Sequence, residues 1–197
     1  LWGFDIHTQK VLRVDRYGRQ MPEHTFAHRA FGTAAFGKDG SIYLGETLKG
    51  SKPYWGSMMK YMPGTNRIGE GHVLKFDKDL KLVDEYPTET AIELSGFKGV
   101  THLSLHPSGQ YIAYTTETGK RLMRYDLVKR QQMPDLATVE GGNLYDRNWF
   151  IALAYCQDGR LLVTRGGTVE SYDETGKVLR TYSLEKFGYG FAQIAVC

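Results

Sequence analysis

Cysteine is scarce in this chain: its 197 residues hold two, Cys156 and Cys197. They form neither a CxxC pair nor a CxxCH haem-attachment motif, so they read as structural thiols and leave the redox compartment open. No apolar run approaches the ~18 residues that a membrane-spanning helix requires. No charge of one sign dominates either, with 25 basic against 22 acidic residues and a formal net charge of +3. That excess is too small and too scattered for a nucleic-acid footprint. The densest basic stretch, Lys120 to Arg130, is broken by Asp126 and by apolar residues, and reads as a solvated sheet edge. The first residues do not read as a signal peptide either. Leu1 in place of methionine raises the expectation that processing or truncation removed what preceded it.

The usual catalytic signatures are absent as well. The Gly-Gly pairs at 141–142 and 166–167 lack the GxxxxGK[ST] pattern of a phosphate loop, and neither HExxH nor GxSxG occurs. Neighbouring carboxylates such as Asp84 and Glu85 alternate across a strand and face opposite sides, so they make no acid/base dyad. What remains is an ordinary globular composition, 41% hydrophobic and 24% charged. It is rich in glycine (23) and tyrosine (13), which suits short strands and tight turns.

An internal repeat organises the chain. Phe31–Gly37, Val100–His106, Phe150–Cys156 and Phe191–Cys197 superpose as strands, the first three followed by Asp-Gly or Ser-Gly hairpin turns. One alternate column carries Ala34, Leu103, Leu153 and Ile194, then Phe36, Leu105, Tyr155 and Val196. The opposite column is small throughout: Ala35, Ser104, Ala154 and Ala195. A small column predicts strands crowded by neighbours where several sheets converge on an axis. A second marker, an aromatic followed by aspartate, recurs at Asp5, Asp77, Asp126 and Asp173, at intervals of 72, 49 and 47 residues. Each aspartate is expected to cap a turn between a third and a fourth strand. Setting aside an insertion at 48–71 brings the long interval into line with the others.

Four antiparallel strands every ~40–50 residues is the pattern of a β-propeller blade. The fold expected is therefore all-β, with residues 1–197 forming a single incomplete propeller domain. Its ring would have about seven blades. A β-sandwich is the alternative. A chain that starts in a third strand and stops in a first strand is expected to be a fragment, or to close its ring by association of copies.

The segment from Val100 to Tyr114, with His106-Pro107-Ser108-Gly109 at its turn, resembles YVTN-type propeller repeats. Thr115-Thr116-Glu117 stands where Thr-Asn is usual, and Arg124-Tyr125-Asp126-Leu127 resembles the "V-x-D-L" strand that follows. The resemblance covers three repeats and implies the propeller fold and an extracytoplasmic location, periplasmic or secreted. The same stretch is similar to the lactonase branch of that superfamily, in which an Arg-His pair precedes the apolar strand; here the pair is Thr101-His102. In fold it is also similar to the propeller subunit of quinone-dependent dehydrogenases.

The connections between blades, and between second and third strands, are expected to share one face and its central funnel. The insertion there carries Tyr54, Trp55, Met58, Met59, Tyr61 and Arg67, an aromatic and methionine-rich set suited to a partner protein or an apolar ligand. The connection ending at Trp149 adds Tyr145 and Arg147, the latter able to clamp a carboxylate or to pair with Asp146. His102, at the start of an innermost strand, is expected near the funnel mouth, and would be the catalytic residue of a hydrolase. His106 is expected to support its own hairpin turn. His24 and His28, four apart, would lie on one side of a helical turn, but no third ligand accompanies them and no metal or cofactor is expected. The reading that results is a non-catalytic binding or scaffold subunit of a larger protein complex. A lactonase-type hydrolase, or the dehydrogenase subunit, is the alternative.

Overall fold

In a computed structural model the described residues are 1–5, 10–25, 31–49, 71–89, 97–116, 119–140 and 149–183. The body of the insertion, residues 141–148 and the fourth copy of the repeat lie outside them. All the described regular structure is β. Strands β1 (Trp2–Asp5), β2 (Lys10–Arg13) and the two-residue β3 (His24–Thr25) form one antiparallel sheet. His24 thus pairs with Val11 across a sheet rather than lying on a helical turn, a correction to the sequence reading.

Three four-stranded antiparallel units follow. The first comprises β4 (Phe31–Phe36), β5 (Ile42–Lys49), β6 (Val73–Phe76) and β7 (Leu82–Tyr86). The second comprises β8 (Phe97–Leu105), β9 (Tyr111–Thr116), β10 (Arg121–Asp126) and β11 (Gln131–Thr138). The third comprises β12 (Phe150–Tyr155), β13 (Leu161–Arg165), β14 (Thr168–Tyr172) and β15 (Val178–Ser183). The first two units are joined: Ile42 to Glu46 of β5 pair with β4, while Thr47, Leu48 and Lys49 pair with Gly99, Lys98 and Phe97 of β8. Strand structure therefore runs two residues into the segment read as an insertion.

The first two units are covered on both faces, so their inner strands read as nearly continuous apolar runs. Alternation only decides which neighbour a side chain meets. On β9, Ile112 and Tyr114 pack with Tyr43, Val73 and Tyr86 of the first unit. Ala113, between them, packs with Phe150, Leu153 and Val163 of the third. The layer between the first sheet and the first unit is built from Val11 against Ile42, Leu44, Leu74 and Phe76. Tyr114 is fully buried, and its hydroxyl lies 2.9 Å from Gln132 Oε1 and 3.0 Å from Glu89 O. The outermost strand β15 is exposed along its whole length.

The turns behave as their composition demands. The side chains of Asp77, Asp126 and Asp173 each accept backbone N–H bonds from residues two to four positions on, at 2.8–3.0 Å. At the first hairpin of the second unit, His106 Nδ1 lies 2.8 Å from Ser108 Oγ and accepts the Ser108 N–H at 3.2 Å, the structural role expected of it. Its ring stacks on Tyr111 at 4.1 Å and meets Tyr155 of the third unit edge-on at 4.9 Å. Its Nε2 points toward Glu174 Oε1, 3.8 Å away and beyond hydrogen-bond reach. Burial pushes the His106 pKa down, and the Glu174 charge only partly opposes it. The same burial and the same carboxylate push the Tyr111 hydroxyl up to about 12.

The basic stretch from Lys120 to Arg130 is not a sheet edge, contrary to the sequence reading. β10 lies inside its sheet, between β9 and β11. Arg121 and Lys129 pair with Asp135 and Asp126 of their own unit, while two other cations reach neighbouring units. Arg124 donates to Glu174 O at 3.0 Å, and Arg130 bonds both Asp84 oxygens at 2.7 Å. Burial acts to raise the Asp84 carboxyl, but Arg130 and the Glu85 N–H outweigh it and hold the group below the usual carboxylate range.

Two predictions follow from this packing. A Cβ built on Gly45 would come within 2.6 Å of Val100 Cγ1 and 2.8 Å of Thr33 Cγ2, whereas one on Gly167 meets nothing within 4 Å. Gly45→Ala is expected to cost about 1–3 kcal/mol in urea unfolding, and Gly167→Ala to stay within about 0.5 kcal/mol of the parent. The second concerns pH. A folded-state pKa below that of an unfolded histidine means that the unfolded chain takes up the proton first. The His106 contribution is whole above the unfolded value of ~6.5 and is lost as pH falls through it toward the depressed folded value. His24, also pushed down by burial and by Arg13, acts in the same sense. The urea midpoint should therefore fall between pH 7.5 and 5.5 less steeply in His106→Asn than in the parent.

Candidate functional site

The two ends of the sheets differ. At one end the described connections are six tight turns: 37–41, 77–81, 106–110, 127–130, 156–160 and 173–177. From the other end leave the connections 50–72, 87–96 and 139–149, alongside two short ones at 117–120 and 166–167. A rigid sheet carrying long connections at one end is the usual arrangement of a binding face.

At that end the innermost strand of every unit is irregular. The register shifts between Phe31 and Thr33 in β4, between Val100 and His102 in β8, and between Phe150 and Leu153 in β12. A bulge leaves backbone groups unpaired and re-aims the side chain beside it. In the third unit Thr164 Oγ1 answers the loose backbone, accepting the Ala152 N–H at 2.8 Å. In the second, Thr115 stands at the corresponding place, and is fully buried. Its hydroxyl lies 3.2 Å from Thr101 Oγ1 and 3.4 Å from His102 Nδ1. The bulge thus delivers Thr33, His102 and Ala152 to equivalent positions. His102, half-buried, is the titratable one of the three.

Two further polar groups sit at the same end. Arg121 grips Asp135 with two bonds of 2.6 and 3.0 Å and reaches Glu89 at 3.2 Å, tying the segment after β7 to the second unit. These hydrogen bonds, Asp135 first, raise the Arg121 pKa further. Such a bidentate pair is a fastener rather than a free ligand-binding cation. The other group is Glu46, His72 and Glu85, one donor atom from each lying within 4.8 Å of the others. Among the described residues this is the one set of three such side chains able to hold a metal ion.

Sequence spacing does not reveal that set, since its members are 26 and 13 residues apart. The available signal was Glu46 itself, a charge continuing the apolar alternation of Ile42 and Leu44. Asp84 and Glu85 do diverge as alternation requires, Asp84 to Arg130 and Glu85 to His72. Trp149 is half-buried beside Gly119, its indole Nε1 shielded from solvent and without a hydrogen-bond partner among the described residues. Tyr54, Trp55, Met58, Met59, Tyr61, Arg67, Tyr145 and Arg147 lie outside the described residues, as do His28 and Cys197. Cys156 is a free, half-buried thiol.

At the tight-turn end a half-open cavity of about 690 Å³ separates the inner strands. Its walls include Ala35, Ser104 and Ala154, the small column of the repeat, with Lys38 and His106 at the turns and Lys75 on β6. The small column also permits close approach between units: Ser104 Oγ accepts the Tyr155 N–H at 2.9 Å.

No protein-family model matches the chain, and no curated protein matches its sequence. Solved structures do match its fold. Streptogramin B lyase superposes with a TM-score of 0.59 at 15% identity, over 93% of this chain and 50% of that one. The luciferin-regenerating enzyme gives 0.55 at 12%, over 90% and 57%. Hydrazine synthase of Kuenenia stuttgartiensis gives 0.53 at 10%, over 85% and 39%. The chain spans roughly half the length of these proteins or less. At such identities the likeness concerns fold alone. With the blade pattern of its sheets, it makes this chain a β-propeller of three complete four-stranded blades preceded by strands of another.

Proposed function

We propose that this chain is the binding portion of a YVTN-like propeller, acting without catalysis as a scaffold subunit of a larger, extracytoplasmic protein complex. The partner engages the face from which the long connections leave. The observation that carries this reading is the asymmetry between the ends, uniform tight turns at one and the 50–72, 87–96 and 139–149 connections at the other. Rigid blades present those connections at fixed spacing, and the aromatic and methionine side chains of the first suit a protein surface. Double substitution Tyr54→Ser, Trp55→Ser is expected to remove a stoichiometric subunit that co-purifies with the tagged chain from its native source. The β-type circular dichroism should not change. Retention of that subunit would overturn the reading.

A second reading rests on His102. Its half-buried imidazole, set by a bulge and held 3.4 Å from Thr115 Oγ1, has the placement of a proton-transfer group at a funnel mouth. Propeller neighbours with enzyme names, streptogramin B lyase and the luciferin-regenerating enzyme, are compatible with it. It predicts turnover of a sugar-acid lactone that disappears in His102→Ala. Hydrolysis no faster than the spontaneous rate across a lactone panel removes it.

A further inference from the structure

Glu46, His72 and Glu85 come to one place from three neighbouring strands. Gly45 of β5 faces Val73 of β6, and Leu44 faces Leu74, so Glu46 stands across from His72. The Glu46 N–H donates to His72 O at 2.9 Å, and the His72 N–H to Glu46 Oε2 at 3.2 Å. On β7, Glu85 is the partner of Leu74. Side chains alternate along each strand, so all three groups share the sheet face of Leu44 and Leu74. Those two leucines are fully buried, and so is Glu46, which continues their column. His72 Nδ1 lies 2.6 Å from Glu85 Oε1.

Two carboxylates held this close repel one another, and a divalent cation between them relieves that repulsion while using the imidazole as a neutral ligand. We propose that Glu46, His72 and Glu85 bind one divalent transition-metal ion, with zinc the best match. An imidazole with two carboxylate oxygens is a donor set for zinc and its first-row neighbours rather than for calcium or magnesium, which prefer oxygen alone. Tetrahedral zinc with bonds of ~2.0–2.2 Å spaces its donors about 3.3–3.6 Å apart. The three donors already lie within 4.8 Å of one another, and His72 Nδ1 and Glu85 Oε1, now 2.6 Å apart, would open by roughly 1 Å to reach that spacing.

The position of the ion gives it a purpose. Glu46 precedes the 50–72 connection and His72 closes it, so one ion clips the neck of that long loop and fastens it to β7. Closing a long loop at its base is where a metal clip removes most chain entropy. The site is separate from His102, and does not depend on whether the propeller is catalytic.

The test uses the whole chain, stripped with a chelator and titrated with zinc chloride by calorimetry. Metal content after dialysis is measured alongside. One equivalent should bind and raise the thermal midpoint. Cobalt(II) at the same site should give visible d–d absorption. Since changes outside the ligand shell already weaken metal binding about 10–100-fold, loss of a ligand in Glu46→Gln, His72→Ala or Glu85→Gln is expected to weaken it by ~100-fold or more. It should also abolish the cobalt band. Glu85 is partly exposed, so Glu85→Gln keeps the test decisive if Glu46→Gln fails to fold. Failure of the parent to retain zinc overturns the proposal, and so does retention unchanged in both His72→Ala and Glu85→Gln. Either result leaves the three residues as a hydrogen-bonded cluster.

Discussion

Face-to-face burial of one four-stranded sheet against the next is the interaction on which the rest of this molecule depends. No blade has a core of its own. Ile112 and Tyr114 need the first complete blade, and Ala113 between them needs the third. Stability therefore resides in the interfaces, as in other arrays of repeats where each unit contacts its neighbours. The repeat in sequence is the imprint of that demand: a bulky column for one interface, a small column where inner strands crowd together.

Polar chemistry is placed by the same constraint. Most charges stay out of the apolar layers and gather at the ends of the strands or span from one blade to another, as Arg130 does to Asp84 and Arg124 to the Glu174 carbonyl. Such bridges are weak where water reaches them. The bulges in β4, β8 and β12 show the same economy: a local irregularity repeated in each blade is lined by Thr115 in one and Thr164 in another, and carries a histidine in one copy only.

Much of the fold was legible because its causes are local. Asp-Gly and Ser-Gly turns, aspartates that cap their own backbone, and alternate columns of fixed size are all written within a few residues. The basic run at 120–130 was misread because edge and interior strands share a composition here. Only its partners, Asp84, Asp135 and Glu174, belonging to three different turns or strands, reveal its burial. The Glu46–His72–Glu85 group was invisible for a related reason. It exists only once the register of β5, β6 and β7 is known, and no spacing along the chain encodes that register. The bulge that aims His102 was not legible, since bulges leave little mark on composition.

The divided pairing of β5 has a mechanical meaning. Its first half belongs to one blade and its last three residues to the next, so the strand acts as a rivet through both. The long connection emerges from the head of that rivet. A pull on it is shared by the hydrogen bonds of two sheets, and neither blade can slide along its neighbour without breaking them. Load applied to this loop would be carried as shear across eight strands rather than as peeling of one.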